Sequence, residues 1–560
     1  MQEIEGNERK SWSRKEVAKN LEEAEEKSQN AHSQRQIAED LQVPRSTLQY
    51  WLSRKSTIDA DPEVIVFFES SAGVVFLHRL VLAVEFVITL LGGGSIRLVC
   101  KFLELSGLDQ FVAASYGAQQ KVTVAMEKTV VEFGEEERAR LAQNMPSRQI
   151  TTCEDETFHP QICLVSIEPV SNFILLEEYA DNRQAQTWAK AMEEATANLR
   201  VEIVQSTSDE GKGLLCYVEE HLGAHHSPDV FHVQHELVKG ISGALASKVR
   251  KAEKAAVEAQ GKVNKLQKAL GEGAGCSQKM NKQLTEAQEQ RVSTQQDLEI
   301  AWARRESVQQ AIQGIGTAYH PYDFESGAAR SSEEVSMSLN GHFAEIETVA
   351  AEAQLSENAL KRIAKAKRVV VKMVATIAFF WHSVKAKVQA LDLAPQTEQA
   401  VYEHLIPGIY LHLVSNKVED AKQRHALQNQ SHKLLAPLRT KDGPFRDLAP
   451  EELILIEAVA LECAQLFQRS SSCVEGRNGQ LALFHHRLHR ISDRKMAALT
   501  TVHNYFIRRR DGTTAAERFF DAKPRDLFEC VLDHVDLPGR PAKKRAQLPE
   551  TGYLFTQTAC

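Results

Sequence analysis

Two acidic residues stand at the ends of predicted strands, and their carboxylates have the clearest capacity for chemistry. Asp155 follows the first of four β-rich runs and Asp209 follows the fourth. The runs cover 149–153, 161–167, 173–178 and 200–206, and a helix is predicted at 184–198. When three antiparallel strands are followed by a helix and another strand, the first and fourth strands are neighbours, so both carboxylates would meet in one cleft. Paired carboxylates suit Mg²⁺, which prefers oxygen ligands.

A third acid would complete such a metal site, and one candidate stands far downstream in the segment Val474-Glu475-Gly476-Arg477-Asn478. Together with Asp155-Glu156, Asp209 and the segment Asp229-Val-Phe-His232, it resembles the DDE-type transposases of bacterial insertion sequences. The resemblance is to the members with a long helical insertion late in an RNase-H-like core. It covers residues 148–240 and 440–535, about a third of the chain.

The resemblance implies an activity and its residues. Asp155, Asp209 and Glu475 would be the catalytic triad and would bind two Mg²⁺ ions, with Mn²⁺ as a substitute. The enzyme would cut DNA at the element ends and transfer the strands, using water and then the freed 3′-hydroxyl as nucleophiles. Its partners would be double-stranded DNA, as terminal inverted repeats and target, and a second or further copy of the chain.

Three assignments stay open at this point. Glu154, Asp155 and Glu156 are consecutive, and alternate side chains of a strand face opposite ways, so register only favours the middle one. Glu517 is a rival to Glu475 as the third acid. Asp229 and His232 are accessory residues beside the triad, or else a strand-end turn residue and a core histidine. The segment 229–233 is expected to extend the core.

The spacing of the three acids predicts a split core. Asp155 and Asp209 are 54 residues apart, which suits three strands and a helix, whereas 266 residues separate Asp209 from Glu475. That distance is too long for a loop, so a helical insertion must lie between them. Residues 246–313 are rich in Ala, Lys, Glu and Gln, which predicts a coiled-coil hairpin. The expected class is α+β, mostly α, with an RNase-H-like mixed sheet interrupted by this insertion.

The predicted domains follow from these changes of pattern. They are a tail with a helix-turn-helix (1–55), a helical domain (56–147), the first part of the core (148–240), the helical insertion (241–440), the second part of the core (441–535) and a flexible basic tail (536–560).

Residues 34–54 predict a helix-turn-helix that binds DNA. Two short amphipathic helices flank a turn at Pro44. The front of the second helix displays the side chains that would face base edges and phosphates, which are Arg45, Ser46, Thr47, Gln49 and Tyr50.

A second basic region lies near the C-terminus. Residues 477–545 contain 15 Lys and Arg against 8 Asp and Glu, a local charge of +7 in a chain whose net charge is -8. The expected DNA contacts there are Arg477, Asn478, Arg508, Arg509 and Arg510. The alternative is a charged helix surface paired with acids.

Several classes are excluded or disfavoured by the sequence. The net charge excludes a uniformly basic nucleic-acid coat, and the nine cysteines include no zinc-ligand spacing. The apolar stretch 74–91 contains His78, Arg79 and Glu85, which favours a buried core helix over a membrane span. We therefore expect a cytoplasmic, nucleoid-associated protein. The alternatives to a transposase are a non-catalytic helix-turn-helix regulator, a decayed transposase, and a coiled-coil assembly protein.

Overall fold

The computed structural model describes residues 12–55, 57–158, 161–271, 278–440, 442–488 and 491–541. Most of these residues are helical, and the strands form one five-stranded mixed sheet. This arrangement confirms the predicted mostly helical α+β class. The ends of the two predicted tails, residues 1–11 and 542–560, lie outside the described residues.

The first three helices form a small bundle with its own core. They are α1 (Arg14–Gln29), α2 (Gln34–Asp40) and α3 (Arg45–Lys55). Leu21, Ile37 and Leu48, one from each helix, are buried together. The turn between α2 and α3 is tight and contains Gln42 with φ of 50°. The structure thus contains the two short helices and the turn that the sequence predicts.

A larger helical domain follows. Its helices are α4 (Pro62–Phe68), α5 (Ser71–Phe86, continued as a π-helix over Val87–Leu91), α6 (Ile96–Leu105) and α7 (Tyr116–Gln143). Two segments, Ser71–Leu91 and Glu357–Gln389, are long and apolar enough to span a membrane by length and composition alone. Half of the first is buried inside the protein. Such burial is typical of a core helix and is consistent with the expected soluble protein.

Glu85 gives α5 a pH-dependent contribution to stability. Its side chain is buried and accepts a hydrogen bond from the Thr123 hydroxyl, while its Oε2 has no partner among the described residues. Burial raises the pKa of Glu85 from about 4.5 to about 7. The folded protein therefore holds this proton more tightly than the unfolded chain does. Consequently, the free energy of unfolding falls as the pH rises between these two pKa values.

We expect Glu85→Gln to flatten this part of the stability profile, because the amide keeps an oxygen for Thr123 and carries no charge. Urea unfolding at intervals between about pH 4.5 and about pH 7.5 measures it. Asp109→Asn, at a half-buried acid between α6 and α7, is the control and should leave the profile unchanged. A Glu85→Gln profile as steep as that of the wild type would contradict this account.

The sheet is formed by five strands in the order β3-β2-β1-β4-β5. They are β1 (Arg148–Phe158), β2 (Ile162–Glu168), β3 (Phe173–Ala180), β4 (Val201–Ser208) and β5 (His225–Pro228). The first three strands are antiparallel neighbours, and β4 and β5 continue the sheet parallel to β1. The first and fourth strands are therefore neighbours in the sheet, as the sequence predicts.

Helices cover both faces of the sheet. On one face α8 (Ala185–Thr196) and α9 (Lys212–Cys216) pack through Trp188 and Leu214 against Leu164. On the other face, α7 and helices from the C-terminal part of the chain pack against alternate residues such as Val165. Burial on both faces explains why these strands are apolar along most of their length.

A large helical domain is inserted after β5. Its helices are α10 (Val230–Leu237, continued as a π-helix over Val238–Ser242), α11 (Gly243–Gly271), α12 (Gln278–Ala318), α13 (Ser332–Glu352), α14 (Glu357–Arg368), α15 (Val370–Gln389), α16 (Pro395–Ala400), α17 (Ile406–Ser415), α18 (Ala421–Leu435) and α19 (Pro450–Leu466). Helices α11 and α12 fold back on each other, with Val263 and Ala287 buried near one end and Leu245 and Ile315 near the other. The predicted hairpin is present.

The chain then returns to the sheet through α20 (Ser472–Leu488), α21 (Asp493–Tyr505), α22 (Ala515–Phe520) and α23 (Leu527–His534). Helix α20 contacts β1 and β2, and α21 contacts β3 and α7. The return begins later than residue 441, because α19 packs through Ile456 and Cys463 in the core of the insertion. Periodicity alone does not distinguish a helix of the insertion from one of the core.

Two further expectations need correction. The segment 229–233 does not extend the core around the sheet: Asp229 caps the first turn of α10, and Val230 and Val233 are buried in the core of the inserted helical domain. The C-terminal tail does not become free at 536, since residues up to 541 bind the N-terminal part of the chain. Arg540 pairs with the buried Glu69, and the Pro541 carbonyl accepts a hydrogen bond of 2.7 Å from Arg54.

Candidate functional site

Strand register brings Asp155 and Asp209 side by side. Glu154 pairs with Ser208 in the parallel ladder of β1 and β4, so the next residue of each chain segment is one of the two acids. The carboxylate of Asp209 also accepts the Gly211 N–H at 2.9 Å, which holds the turn after β4. The two carboxylates lie at the carboxyl-terminal edge of the parallel strand pair, as the sequence predicts.

Alternation along β1 separates Asp155 from its acidic neighbours. Glu154 is fully buried and accepts a hydrogen bond from Thr152 at 2.7 Å, and another from Ser206. Glu156 accepts a hydrogen bond of 3.1 Å from Trp188 Nε1, on the face that α8 covers. Asp155 faces the opposite side, towards α20. Among the three consecutive acids, only Asp155 thus lies beside Asp209 and α20.

Helix α20 supplies two side chains to the same place. Glu475 and Asn478 are three residues apart and therefore lie on one face of the helix. Asn478 Nδ2 donates to Asp155 Oδ2 at 3.2 Å. Glu475 is 45% exposed, and its charge acts on Asp155. After an insertion of more than two hundred residues, the chain therefore brings the Glu475 carboxylate back to the edge of the sheet where β4 ends.

The crowding of acids changes the electrostatics of Asp155. Burial raises the pKa of Asp155 to about 7, and the negative charges of Asp209 and Glu475 add to this rise. The Glu156 N–H, which donates to Asp155 Oδ1 at 2.8 Å, and the nearby His232 act in the opposite direction. A carboxylate in this environment gains stability from a cation.

The donor set fits a hard divalent cation. Asp155, Asp209 and Glu475 present oxygen ligands, and the buried Asn478 Oδ1 has no hydrogen-bond partner among the described residues. No group of three or more His, Cys, Asp or Glu side chains in the described ranges already has the geometry of a metal site. Binding would therefore require the carboxylates of the cluster to move closer together.

Asp229 and His232 lie next to this cluster in different roles. Asp229 is fully buried, caps α10 by accepting the Phe231 N–H at 2.7 Å, and accepts the Ser471 N–H at 3.2 Å. It thereby ties α10 to the residue just before α20. His232 Nε2 lies 4.0 Å from Glu475 Oε1 and 3.9 Å from Asp229 Oδ2. His232 is therefore not a fully buried core histidine, since its side chain is 35% exposed.

Arg477 occupies a different environment from a DNA-contacting arginine. It is buried, and its guanidinium donates two hydrogen bonds to Glu177 at 2.7 and 2.6 Å. Thr500 donates to the same carboxylate at 2.5 Å. The guanidinium therefore joins α20 to β3 and α21, and it is not accessible to a phosphate. Sequence reasoning missed Glu177 and Ser471 as the anchors of α20, and no sequence motif marks them.

The rival acid Glu517 and the three arginines lie elsewhere. Glu517 closes a capping box with Thr514 at the start of α22 and pairs with Arg508 at 3.8 Å. Asp209 and Glu475, not Glu517, are the carboxylates whose charges act on Asp155. Arg508, Arg509 and Arg510 are exposed in the turn between α21 and α22. They do not join the acidic cluster.

The five residues predicted to read DNA begin α3. Arg45, Ser46, Gln49 and Tyr50 are exposed, and Thr47 is half-buried. The buried Leu48 and Trp51 hold the helix against α1 and α2, so the opposite face points outward. This bundle does not share a hydrophobic cluster with the sheet.

Comparisons with known proteins assign no activity. A family model described as a family of unknown function (DUF6399) matches residues 401–547, about a quarter of the chain. No curated protein and no solved structure matches. The matched segment includes Glu475, Arg477 and Asn478, and it excludes Asp155 and Asp209.

Proposed function

We propose that the protein is a DDE-type transposase that cuts DNA at the ends of its element in a Mg²⁺-dependent reaction and transfers the strands. The observation that carries this proposal is the convergence of Asp155, Asp209 and Glu475 from three separate elements. The order and directions of the five strands support an RNase-H-like core. The chain contains 75 Asp and Glu residues, so a single acid at a strand end carries little weight, and the proposal rests on three acids that meet at one edge of the sheet.

The residues of the cluster have distinct tasks in this proposal. Asp155, Asp209 and Glu475 would hold two Mg²⁺ ions, which when bound lower the pKa of water and neutralise charge on the phosphodiester oxygens. Asn478 fixes the orientation of Asp155 through its amide. Asp229 fixes the start of α20 and thereby the position of Glu475. His232 Nε2 lies 4.0 Å from Glu475 Oε1, so this histidine would be an accessory residue that positions the Glu475 carboxylate.

The N-terminal bundle would recognise the terminal inverted repeats as a helix-turn-helix. The exposed polar front of α3 has the composition of a recognition helix. The further partners are target DNA and a second copy of the chain, since an element presents two ends for cleavage. Arg508, Arg509 and Arg510 remain proposed contacts to the DNA backbone.

Arg45→Ala is expected to weaken binding to end DNA by about tenfold or more, because a recognition-helix arginine contributes roughly 1–3 kcal/mol. Arg35→Ala is the matched control, since Arg35 is exposed on α2 and pairs with Glu39 on its own helix. Fluorescence anisotropy with labelled end DNA measures both. Equal affinities for the two variants would contradict the assignment of α3 as the recognition helix.

Cleavage of the DNA that flanks this reading frame tests the proposed function. We expect sequence-specific binding with or without Mg²⁺, and nicks at the element ends only when Mg²⁺ or Mn²⁺ is present. Specific binding without any cleavage would favour the regulator or decayed transposase. Absence of specific binding would contradict both the transposase and the non-catalytic DNA-binding protein.

A further inference from the structure

A cavity lies between the helical insertion and the sheet. It has a volume of about 740 Å³, and its walls come from α17 and α19, from the loop between β2 and β3, and from the start of α20. Ser472 and Cys473 line it, two to three residues before Glu475. The cavity is therefore adjacent to the acidic cluster in the chain but is built from different side chains.

The charge of the cavity is one-sided. Lys417, Arg469 and Arg509 line it, and none of its described lining residues is Asp or Glu. Within the described part of the chain, no carboxylate lies within 4.0 Å of the charged groups of these three residues. Three cations without a paired acid repel one another. An anion in the cavity would relieve that repulsion.

The effect of this repulsion is seen in the pKa of Lys417. Its side chain is exposed in the cavity that it lines. Desolvation by the cavity wall lowers the pKa of Lys417, and the positive charges of Arg469 and Arg509 lower it further. Arg469 is held in place by donating to the Gly316 carbonyl at 2.7 Å, and Arg509 donates to the Val170 carbonyl at 3.2 Å.

Two independent features also point to a ligand. His320 lines the cavity, is 2% exposed, and its Nε2 has no hydrogen-bond partner among the described residues. The 17-residue helix α20 begins at the cavity, so the positive end of its dipole adds to the field of the three cations. The remaining wall combines amides such as Asn416 and Gln465 with apolar side chains such as Leu413.

We propose that this cavity binds the phosphate groups of a nucleotide, either free or at the end of a DNA strand. Its volume suits one nucleotide and is too small for a duplex. Lys417, Arg469 and Arg509 would neutralise the phosphates, and the amide and apolar wall would contact the sugar and base. The inference rests on the cavity alone and does not require the acidic cluster to be catalytic.

Calorimetric titration of the full-length protein with pyrophosphate, ATP and a short single strand with or without a 5′-phosphate tests this proposal. The buffer contains EDTA, so that a metal-bound phosphate at the acidic cluster does not contribute. Lys417→Met is expected to weaken phosphate binding by about tenfold or more.

Lys422→Met is the control, since Lys422 is exposed on α18 and does not line the cavity. Asp155→Asn should bind the phosphates normally, which separates this site from the proposed active site. Binding of pyrophosphate or ATP identifies a free nucleotide, whereas binding that needs the 5′-phosphate of the strand identifies a DNA end. No binding of any of these probes, or equal binding by Lys417→Met, would overturn the proposal.

Discussion

Asp155→Asn is expected to abolish Mg²⁺-dependent nicking of end DNA, lowering its rate by at least about 10³-fold, while leaving DNA binding intact. A residue that holds the metal in the reaction centre supplies several kcal/mol of transition-state stabilisation. The fold should survive, because an amide can accept the Glu156 N–H as the carboxylate does. Asn478 can reverse its amide to match, since its Oδ1 has no other described partner.

Stability measurements separate a chemical role for Asp155 from a structural one. Burial raises the pKa of Asp155 to about 7, so ionising it costs free energy in the metal-free protein. Asp155→Asn should therefore unfold at the same or a higher temperature than the wild type above about pH 7, and Mg²⁺ should stabilise only the wild type.

Asp209→Asn should also lose nicking. Glu210→Gln, next to Asp209 and paired with Lys372 near the surface, is the control and should retain it. Retained nicking by Asp155→Asn or Asp209→Asn would refute the assignment of these two residues as metal ligands.

Arg477→Met is expected to destabilise the protein by about 3–5 kcal/mol, because it leaves the Glu177 carboxylate buried without its charged partner. Both side chains are almost inaccessible, and the guanidinium binds both oxygens of the carboxylate. Loosening this contact should also displace α20, and with it Glu475. Chemical unfolding measures the stability, and nicking at a temperature where the variant is folded measures the displacement.

Two variants give this second prediction its controls. Arg487→Met removes an exposed arginine of the same helix, whose main contact is the Gly92 carbonyl, and should cost little. The double variant Arg477→Met/Glu177→Leu removes both charges and should recover much of the lost stability. If Arg477→Met keeps its stability and loses only DNA affinity, the arginine is a DNA contact and its burial is misassigned.

Much of the sheet could be predicted from the sequence, because strand periodicity and turn residues are local properties. The four runs, the helix before the last of them and the pairing of first with fourth strand all appear in the structure. The length between Asp209 and Glu475 also required an insertion, and the hairpin of α11 and α12 lies within it. Register alone made Asp155 the preferred acid of three, and alternation along β1 agrees with that preference.

The remaining features depend on contacts between distant residues. Arg477 stands in a basic segment, and nothing local shows that Glu177, 300 positions earlier, would bury it. Asp229 is followed by apolar residues that suit a strand as well as a helix. In the structure these residues form a helix, whose first turn the Asp229 side chain caps. Lys417 and Arg469 carry no motif, and their cavity exists only because the insertion packs on the sheet.

A crystal of the full-length protein soaked in Mn²⁺ tests the central claim most directly, through an anomalous difference map. Metal peaks are expected between the carboxylates of Asp155, Asp209 and Glu475 in the wild type, and no such peaks are expected in Asp155→Asn. Ordered Mn²⁺ bound only elsewhere, or the three carboxylates intact and without metal at saturating Mn²⁺, would contradict the central claim.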